Sequence, residues 1–311
     1  MNMDLSLQSP GKIILLGEHA VLYGAPGIAL PLPHALQAIA KRNQTKNIRL
    51  FPAISDSRME RALRWIVQNL GGGFDFFWKN RVPIGAGLGS SAAFSNLLIR
   101  WALKLNHPEN TSSIEIIHTA VHELENIFHG SASGIDDAVV CFNQPVLFQK
   151  PHVKLRWPFL YEPIRDNLWR IQFPEMGFFV VGYSHSCAST QEMVKKVRNN
   201  DDGTLANQTT VLVEKAVIAF ETGQLAMLGN VLDAAHDLLR FVGASTPDLD
   251  TLVQRAKSAG ALGAKLTGAG GGGCVLALAS DNTCAQAIAH SWQQTGFQVI
   301  ATLPLSTFPL R

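Results

Sequence analysis

The pattern of apolar and polar residues along the chain predicts a protein that mixes helices with strands. Apolar residues recur at helical spacing after Ser90 and Ser91, near Gln191, and in the segments 59–70, 112–129, 209–220, 225–239, 249–259 and 283–294. Short apolar or alternating runs typical of strands occur at residues 12–16, 27–30, 74–82, 178–183 and 298–303. The polar stretch at residues 43–47 predicts a hairpin tip. Together these elements favour an α+β fold.

A loop with glycine at alternate positions, Gly85, Gly87 and Gly89, follows the predicted strand at residues 74–82. Glycine tolerates positive φ and has no Cβ to keep a ligand away from the backbone amides. Serine follows at the position where an N-cap belongs. Free amides and the positive end of a helix dipole together bind anions. The loop therefore predicts a phosphate cradle, although glycines that serve only a tight turn would give the same pattern.

A second run of glycines, at residues 268–273, joins two apolar segments and predicts a loop of the hairpin type. Its spacing fits the protein-kinase glycine loop and part of the dinucleotide fingerprint, but the residues after it predict a strand where a helix is required. No Walker loop is present in the sequence. The zinc-protease spacing also fails, because His122-Glu123 is not followed by histidine at position 126.

Composition narrows the classes of function. Hydrophobic residues make up 47% of the chain, and 26 basic residues nearly balance 24 acidic ones, for a net charge of +2. Without a concentrated basic segment, we do not expect nucleic acid as a partner. We expect no membrane span and a cytoplasmic location, because no apolar run is long enough and no signal sequence is evident. The four widely spaced cysteines are expected to be reduced and buried.

Three segments taken together resemble a known family. Residues 10–24, 83–93 and 265–278 are similar, in order and spacing, to the three sequence motifs of the GHMP kinases, which phosphorylate small molecules such as galactose, homoserine, mevalonate and phosphomevalonate. Within that family, the segment Gly-Glu-His-Ala-Val-Leu-Tyr-Gly at residues 17–24 looks most like the mevalonate kinase branch. The segment from Glu125 to Asp136 also resembles that branch.

The resemblance implies a two-domain architecture. Residues 1–172 would form an N-terminal ATP-binding domain like ribosomal protein S5 domain 2, and residues 173–311 a ferredoxin-like C-terminal domain, with ATP and substrate between them. Hydrophobic periodicity alone gives only a mixture of α and β structure. The oligomeric state stays open, a homodimer included.

The resemblance also implies roles for individual residues. Asp136 would accept the proton of the substrate hydroxyl, and Lys12 would counter charge on the transferring phosphoryl group. Ser91 and Glu125 would hold Mg²⁺, which needs few protein oxygens when it also binds ATP phosphates. The ATP-binding residues would be Gly85, Ala86, Gly87, Leu88, Gly89, Ser90 and Ser91. The substrate-binding residues would be Glu18, His19, Ser189, Thr190, Thr267, Gly268, Ala269 and Gly270.

The acceptor implied by the resemblance is mevalonate, phosphorylated on its primary hydroxyl in isoprenoid precursor synthesis. One residue departs from the pattern: mevalonate kinases commonly have arginine where this chain has Ala188, so a substrate carboxylate would lose a partner. Arg240 or Lys195 is a candidate replacement. Another GHMP acceptor, namely phosphomevalonate, homoserine or a sugar, is the alternative. A non-catalytic nucleotide sensor is disfavoured, because a sensor needs the glycine loop but not a base.

Overall fold

The chain is divided between two compact units. The structure is a computed structural model that describes residues 6–110, 113–130, 132–149, 163–165, 168–171 and 173–308. The first unit combines the segment ending at Lys12 with residues 31–84 and 89–143, and the second combines residues 13–30, residues 85–88 and the chain from residue 144 onward. The domain boundary after residue 172 stays a prediction, and residue 172 lies outside the described residues.

Runs of strands and runs of helices follow one another along the chain. The strands are β1 (Leu7–Leu16), β2 (Gly27–Arg42), β3 (Ile48–Phe51), β4 (Phe74–Asn80), β5 (Val146–Phe148), β6 (Pro163–Arg165), β7 (Leu168–Arg170), β8 (Phe178–Tyr183), β9 (Gly263–Thr267), β10 (Cys274–Ala279) and β11 (Gln298–Pro304). The helices are α1 (Ser57–Asn69), α2 (Ser90–Asn106), α3 (Ile114–His129), α4 (Ile135–Phe142), α5 (Thr190–Asn200), α6 (Leu205–Thr222), α7 (Leu225–Phe241), α8 (Pro247–Ser258) and α9 (Asn282–Gln294).

The first unit packs helices α1 to α4 against a small sheet. Within it, β4 runs antiparallel to the second half of β2 and parallel to β3. Alternation along β4 turns Phe74 and Phe76 into the core, whereas Phe77 is partly exposed. Helix α2 is buried on most sides, with Leu97 and Leu98 fully covered. Since a buried leucine contributes about 1.5–3 kcal/mol, α2 forms much of this core.

The predicted hairpin tip at residues 43–47 is wrong. That segment joins β2 to β3, but β4 lies between these two strands, and β3 pairs with β4 in parallel. Parallel neighbours need a crossover connection, which α1 supplies. The polar stretch is instead stabilised by side chains: Asn43 donates to Asp75 Oδ1 at 2.8 Å and accepts from the amide of Thr45 at 2.9 Å.

The second unit is centred on an antiparallel sheet with the strand order β11-β8-β10-β9. Strands β9 and β10 form a hairpin in which Thr267 lies opposite Cys274, which confirms the predicted hairpin around the second glycine run. At the other edge, the pairing of β11 with β8 is interrupted by a bulge between Val299 and Ala301. The core includes Trp292, which is fully buried and donates from Nε1 to the carbonyl oxygen of Leu252 at 2.8 Å.

Three further strands, β5, β7 and β6, extend from the first residues of β2 in the second unit. The predicted α+β class is confirmed by these largely antiparallel sheets and their packed helices. Among the residues that the structure describes, no helix has both the length and the apolar character that crossing a bilayer requires.

Helix α7 approaches the sheet at a glycine. A Cβ atom placed on Gly229 would lie 2.2 Å from the carbonyl oxygen of Leu262, just before β9. That distance is far inside van der Waals contact, and the obstacle is backbone that no rotamer change can move. The side chain at position 229 is therefore limited to a hydrogen atom by packing.

We expect Gly229→Ala to lower the free energy of unfolding by about 1–3 kcal/mol, because overpacking outweighs the gain in helix propensity of about 1 kcal/mol. Urea denaturation followed by circular dichroism measures the change. The exposed neighbour Asn230 provides the control, since Asn230→Ala should leave stability unchanged or slightly raise it. Stabilisation by both substitutions would contradict the packing argument.

Candidate active site

The two glycine loops of the second unit contact each other directly. We call residues 85–88 the first glycine loop and residues 268–273 the second. A Cβ atom on Gly87 would lie 3.1 Å from the Cα atom of Gly268, and one on Gly273 would lie 2.9 Å from the carbonyl oxygen of Ala86. Gly85 and Gly87 both have positive φ, at 77° and 79°. Side chains at positions 87 and 273 would push the loops apart, so glycine is required there for the approach as well as for the turn.

Helix α2 begins directly after the first glycine loop, and its N-cap is Gly89 rather than a serine. Gly89 has φ 72° and makes no capping hydrogen bond through a side chain. Ser90 and Ser91 are therefore the first two helical residues, which corrects the expectation that serine caps the helix. An uncapped N-terminus leaves amide groups of the first turn available to an anion, with the helix dipole favouring negative charge.

In the first unit, Ser91 points at a buried carboxylate on α3. Its Oγ atom donates to Oε2 of Glu125 at 3.0 Å and lies 3.1 Å from Nε2 of His129. Ser95, one turn further along α2, donates to the other oxygen of Glu125 at 3.3 Å. Only 2% of Glu125 is exposed. Two helices thus bring two hydroxyl groups, a carboxylate and an imidazole to one place.

Burial sets the electrostatics of this cluster. It raises the pKa of Glu125 above its ordinary value, against the lowering effect of His129 and the hydrogen bond from Ser91. The negative charge of Asp136 adds to the increase. The hydrogen bond that His129 donates to the Glu125 carboxylate in turn raises the pKa of His129, although burial opposes it. A nearby cation would stabilise the ionised form of such a buried acid.

Lys12 and Asp136 form an ion pair in the same unit. The Lys12 Nζ atom donates to Asp136 Oδ1 at 2.8 Å, and 6% of the lysine side chain is exposed against 30% of the aspartate side chain. The ammonium group is therefore enclosed, whereas the carboxylate can still meet a ligand. Gly89 makes room for this lysine, because a Cβ atom there would lie 2.5 Å from Lys12 Cγ.

Glu18, predicted to face the substrate, is buried in the second unit and pairs with Lys265. The Lys265 Nζ atom donates to Glu18 Oε1 and, at 2.6 Å, to the carbonyl oxygen of Leu266. Lys265 is fully buried, and this burial lowers its pKa against the raising effect of the Glu18 charge. Such a pair holds β9 to the segment that follows β1. The substrate-binding role of Glu18 stays a prediction.

His19 and Thr267 also make internal contacts. The His19 Nε2 atom lies 2.8 Å from the carbonyl oxygen of Ala269, and since a carbonyl only accepts, Nε2 carries the proton. Burial lowers the pKa of His19, which favours the neutral imidazole at pH 7. Thr267 Oγ1 donates to the carbonyl oxygen of Ile14 at 2.9 Å and accepts from its amide at 3.0 Å. Both side chains fix the second glycine loop to the N-terminal segment.

Ser189 and Thr190, at the start of α5, are exposed. The turn before them is joined to the second glycine loop: the amide of Gly273 donates to the carbonyl oxygen of Ser186 at 2.6 Å. Ala188 is half-buried against that loop, where a Cβ atom on Gly271 would lie 2.6 Å from the Cβ atom of Ala188. The small side chain of Ala188 is therefore part of the close packing around the second glycine loop.

The structure gathers the predicted residues into two sets. In the first unit, Lys12 pairs with Asp136 and Ser91 donates to Glu125, and the charge of Asp136 acts on Glu125. In the second unit, the glycine loops lie together with His19 and Thr267. Sequence reasoning missed the contacts made by Ser95, His129 and Lys265. Helical spacing could have found the first two, which follow Ser91 and Glu125 by four residues.

Comparisons with known proteins bear on this arrangement. Residues 57–144 match the family model for the GHMP kinases N terminal domain, and residues 216–298 match the model for GHMP kinases C terminal. A mevalonate kinase from Thermococcus sibiricus is 32% identical, over 98% of this chain and 96% of that protein.

Solved structures share the fold. L. major mevalonate kinase in complex with R-mevalonate has a TM-score of 0.80 at 24% identity, covering 97% of this chain and 96% of that chain. Streptococcus pneumoniae phosphomevalonate kinase in complex with phosphomevalonate and AMPPNP has a TM-score of 0.79 at 19% identity, covering 96% and 99%.

The chain belongs to the GHMP kinases, a family of phosphotransferases that act on the alcohol groups of small molecules. This confirms the family and the two-domain fold that the sequence motifs implied. Within the family the chain is similar to the mevalonate kinases along almost its whole length.

The buried pair of Glu18 and Lys265 generates a prediction about stability. We expect Glu18→Gln to lower the free energy of unfolding by about 3–5 kcal/mol, because it leaves a buried ammonium group without its counter-charge. The double variant Glu18→Gln, Lys265→Met should lose less than Glu18→Gln alone, since it removes both charges. Urea denaturation of the three proteins measures the difference.

The exposed pair of Arg240 and Asp237 serves as the control for this measurement. More than half of each side chain is exposed, so Asp237→Asn should cost no more than about 1 kcal/mol. If Glu18→Gln were as mild as Asp237→Asn, the Glu18 carboxylate would not be needed to stabilise Lys265.

Proposed function

We propose that this protein transfers the γ-phosphoryl group of ATP to the primary hydroxyl of mevalonate. The observation that carries the proposal is the ion pair between the enclosed Lys12 and the accessible Asp136. The charge of Asp136 also acts on Glu125, which accepts a hydrogen bond from Ser91 in the same unit. A nucleotide sensor needs neither a base nor a lysine beside it. Similarity to mevalonate kinases over nearly the whole chain supports the choice of acceptor.

In the proposed reaction Asp136 is the general base. Its carboxylate accepts the proton of the acceptor hydroxyl while the hydroxyl oxygen bonds to the γ-phosphorus and the bond to the β-phosphate oxygen breaks, releasing ADP. General-base assistance is worth about 10²–10⁴-fold in rate. Lys12 stabilises negative charge on the transferring group, as cationic side chains do in other phosphoryl transfers. The enclosed ammonium suits this role, because burial strengthens its field.

The proposed ATP site consists of Gly85, Ala86, Gly87, Leu88, Gly89, Ser90 and Ser91. Backbone amides of the loop and of the first turn of α2 would donate to phosphate oxygens, which is the usual way a helix N-terminus binds phosphate. The positive φ angles of Gly85, Gly87 and Gly89 support the proposal, because they allow successive amides to turn toward one ligand.

A divalent cation would accompany ATP, and we propose Mg²⁺. The Ser91 hydroxyl and the Glu125 carboxylate fit a hard cation: they are oxygen donors, lie 3.0 Å apart, and include an acid whose pKa burial has raised. In the part of the chain that the structure describes, no group of three or more His, Cys, Asp or Glu side chains forms a metal site of its own. Mg²⁺ that also binds ATP phosphates needs no such group; bound, it would neutralise charge on the phosphates.

For the acceptor we propose the predicted residues of the second unit. They are Glu18, His19, Ser189, Thr190, Thr267, Gly268, Ala269 and Gly270. The neutral His19 and the exposed hydroxyl groups of Ser189 and Thr190 are suited to hydrogen bonding with a polar ligand.

The four cysteines are free thiols, which supports a reducing, cytoplasmic location. Two of them differ from the prediction that all are buried, because Cys187 is exposed and Cys284 is partly exposed.

Asp136→Asn should reduce turnover by at least about 10²-fold while the Kd for ATP changes by no more than a few fold, because the amide cannot take up the proton. Coupled release of ADP and calorimetric titration of ATP measure the two quantities. Asp248, an exposed aspartate in the first turn of α8, is the matched control, and Asp248→Asn should retain full turnover. Near wild-type turnover of Asp136→Asn would remove the base assignment.

The acceptor is tested by kcat/KM across mevalonate, 5-phosphomevalonate, homoserine and galactose at saturating Mg-ATP. We expect mevalonate to be preferred at least tenfold. Ala188 is the observation that favours another acceptor, because loss of a charge-assisted arginine contact to a carboxylate costs about 1.5–3 kcal/mol. If Arg240 or Lys195 replaces that contact, its mutation should raise KM for mevalonate much more than KM for ATP. A clear preference for any other acceptor would overturn the proposal.

A further inference from the structure

A buried carboxylate stands next to the proposed base. Asp137 follows Asp136 in the first turn of α4 and is fully buried. Its Oδ2 atom lies 2.8 Å from His122 Nδ1 and 3.3 Å from His118 Nε2. The two histidines are four residues apart on α3 and so share one helix face. We call these three residues the His-Asp-His cluster.

The chemistry of the cluster makes its contacts directional. An ionised carboxylate only accepts hydrogen bonds, so His122 Nδ1 donates to Asp137 Oδ2, whereas His118 Nε2 lies at ion-pair distance from the same oxygen without a hydrogen bond. Burial by itself raises the pKa of Asp137, but its interactions with the two histidines outweigh burial and leave the pKa lower than usual. Asp137 Oδ1 has no hydrogen-bond partner among the described residues. The attachment of Asp137 to α3 therefore depends on Oδ2.

Helix α4 has few other directional contacts at its start. Its N-cap is Gly134, with φ 94° and no capping hydrogen bond from a side chain, so neither Asp136 nor Asp137 is the N-cap. Apolar packing of Ile135 and Val139 is compatible with small rotations of a helix, whereas a short hydrogen bond is not. The His-Asp-His cluster adds a directional contact between α4 and α3 to this packing.

Rotation of α4 would move the base. A carboxylate at the rim of a helix lies about 5 Å from its axis, so a turn of about 10° displaces it by about 1 Å. Displacement of that size can cost about 10²-fold in rate when a proton must be transferred. The ion pair with Lys12 alone cannot prevent this movement, because a flexible lysine side chain can follow the carboxylate.

We propose that Asp137, held by His118 and His122, is a positioning residue that orients Asp136 for proton transfer; this inference rests on the proposed kinase function. It touches neither ATP nor acceptor and acts only through α4. Its loss should therefore lower kcat without weakening the binding of ATP.

The test uses substitutions at His122, which is partly exposed and so tolerates change better than Asp137. His122→Ala removes the donor and should lower kcat by about 10–100-fold with KM for ATP within about twofold. His122→Asn keeps an N–H donor close to the position of Nδ1 and should restore kcat to within about threefold of wild type. Asp137→Asn should resemble His122→Ala, and the double variant should lose no more than the worse single one.

Hydrogen exchange of the segment 135–142 provides a second readout. It should be faster in His122→Ala than in wild type and normal in His122→Asn. The control is Glu123→Ala, an exposed neighbour on α3 that should change neither kcat nor exchange. Unchanged kcat in His122→Ala, or equal losses in the alanine and asparagine variants, would overturn the positioning role.

The outcomes for the two proposals are distinct. A folded wild-type protein that phosphorylates none of the four acceptors overturns the proposed function, and the positioning of a base with it. An active wild type whose His122 and Asp137 variants lose thermal stability but keep kcat per folded molecule overturns this inference alone.

Discussion

A charged group that is buried away from water must be paired with an opposite charge or a strong hydrogen bond, and this requirement determines key contacts in both units of the protein. Lys12 is enclosed and meets Asp136, Lys265 is enclosed and meets Glu18, and Asp137 meets two imidazoles. The two lysine pairs join elements that are distant in sequence, whereas the contacts of Asp137 join the consecutive helices α3 and α4. Breaking one member of a pair is costly, so the geometry around the proposed base is held by the same forces that hold the fold. Asp136 is the exception among these charged groups, because part of its side chain stays exposed and can contact a ligand.

Glycine fulfils a second requirement, the close approach of backbones. In the two glycine loops, and again where Gly89 passes Lys12, any larger residue would displace its neighbour. All of these glycines also have positive φ, so the turn conformation and the close approach favour glycine at the same positions. The close approach of the two loops in the second unit and the path of Lys12 to Asp136 in the first unit therefore each depend on glycine.

Much of this arrangement follows from local sequence patterns. The 3.6-residue period locates most helices, and the alternate glycines followed by a helix indicate an anion site. What local patterns miss depends on distant partners. The segment 43–47 looks like a hairpin tip because nothing near it reveals that β4 enters between β2 and β3. The pairing of Glu18 with Lys265 is equally hidden from local patterns, because the two residues lie 247 positions apart. His118 and His122 show helical spacing, but only the position of α4 makes them partners of Asp137.

The bulge in β11 has a consequence for how copies of this chain meet. A strand at the edge of a sheet offers a row of donors and acceptors to any extended chain, and straight edges invite unwanted pairing. The shift in pairing between Val299 and Ala301 breaks that row, and Pro304 at the end of the strand supplies no amide hydrogen. The bulge and the proline therefore make β11 a poor template for a regular ladder between two copies.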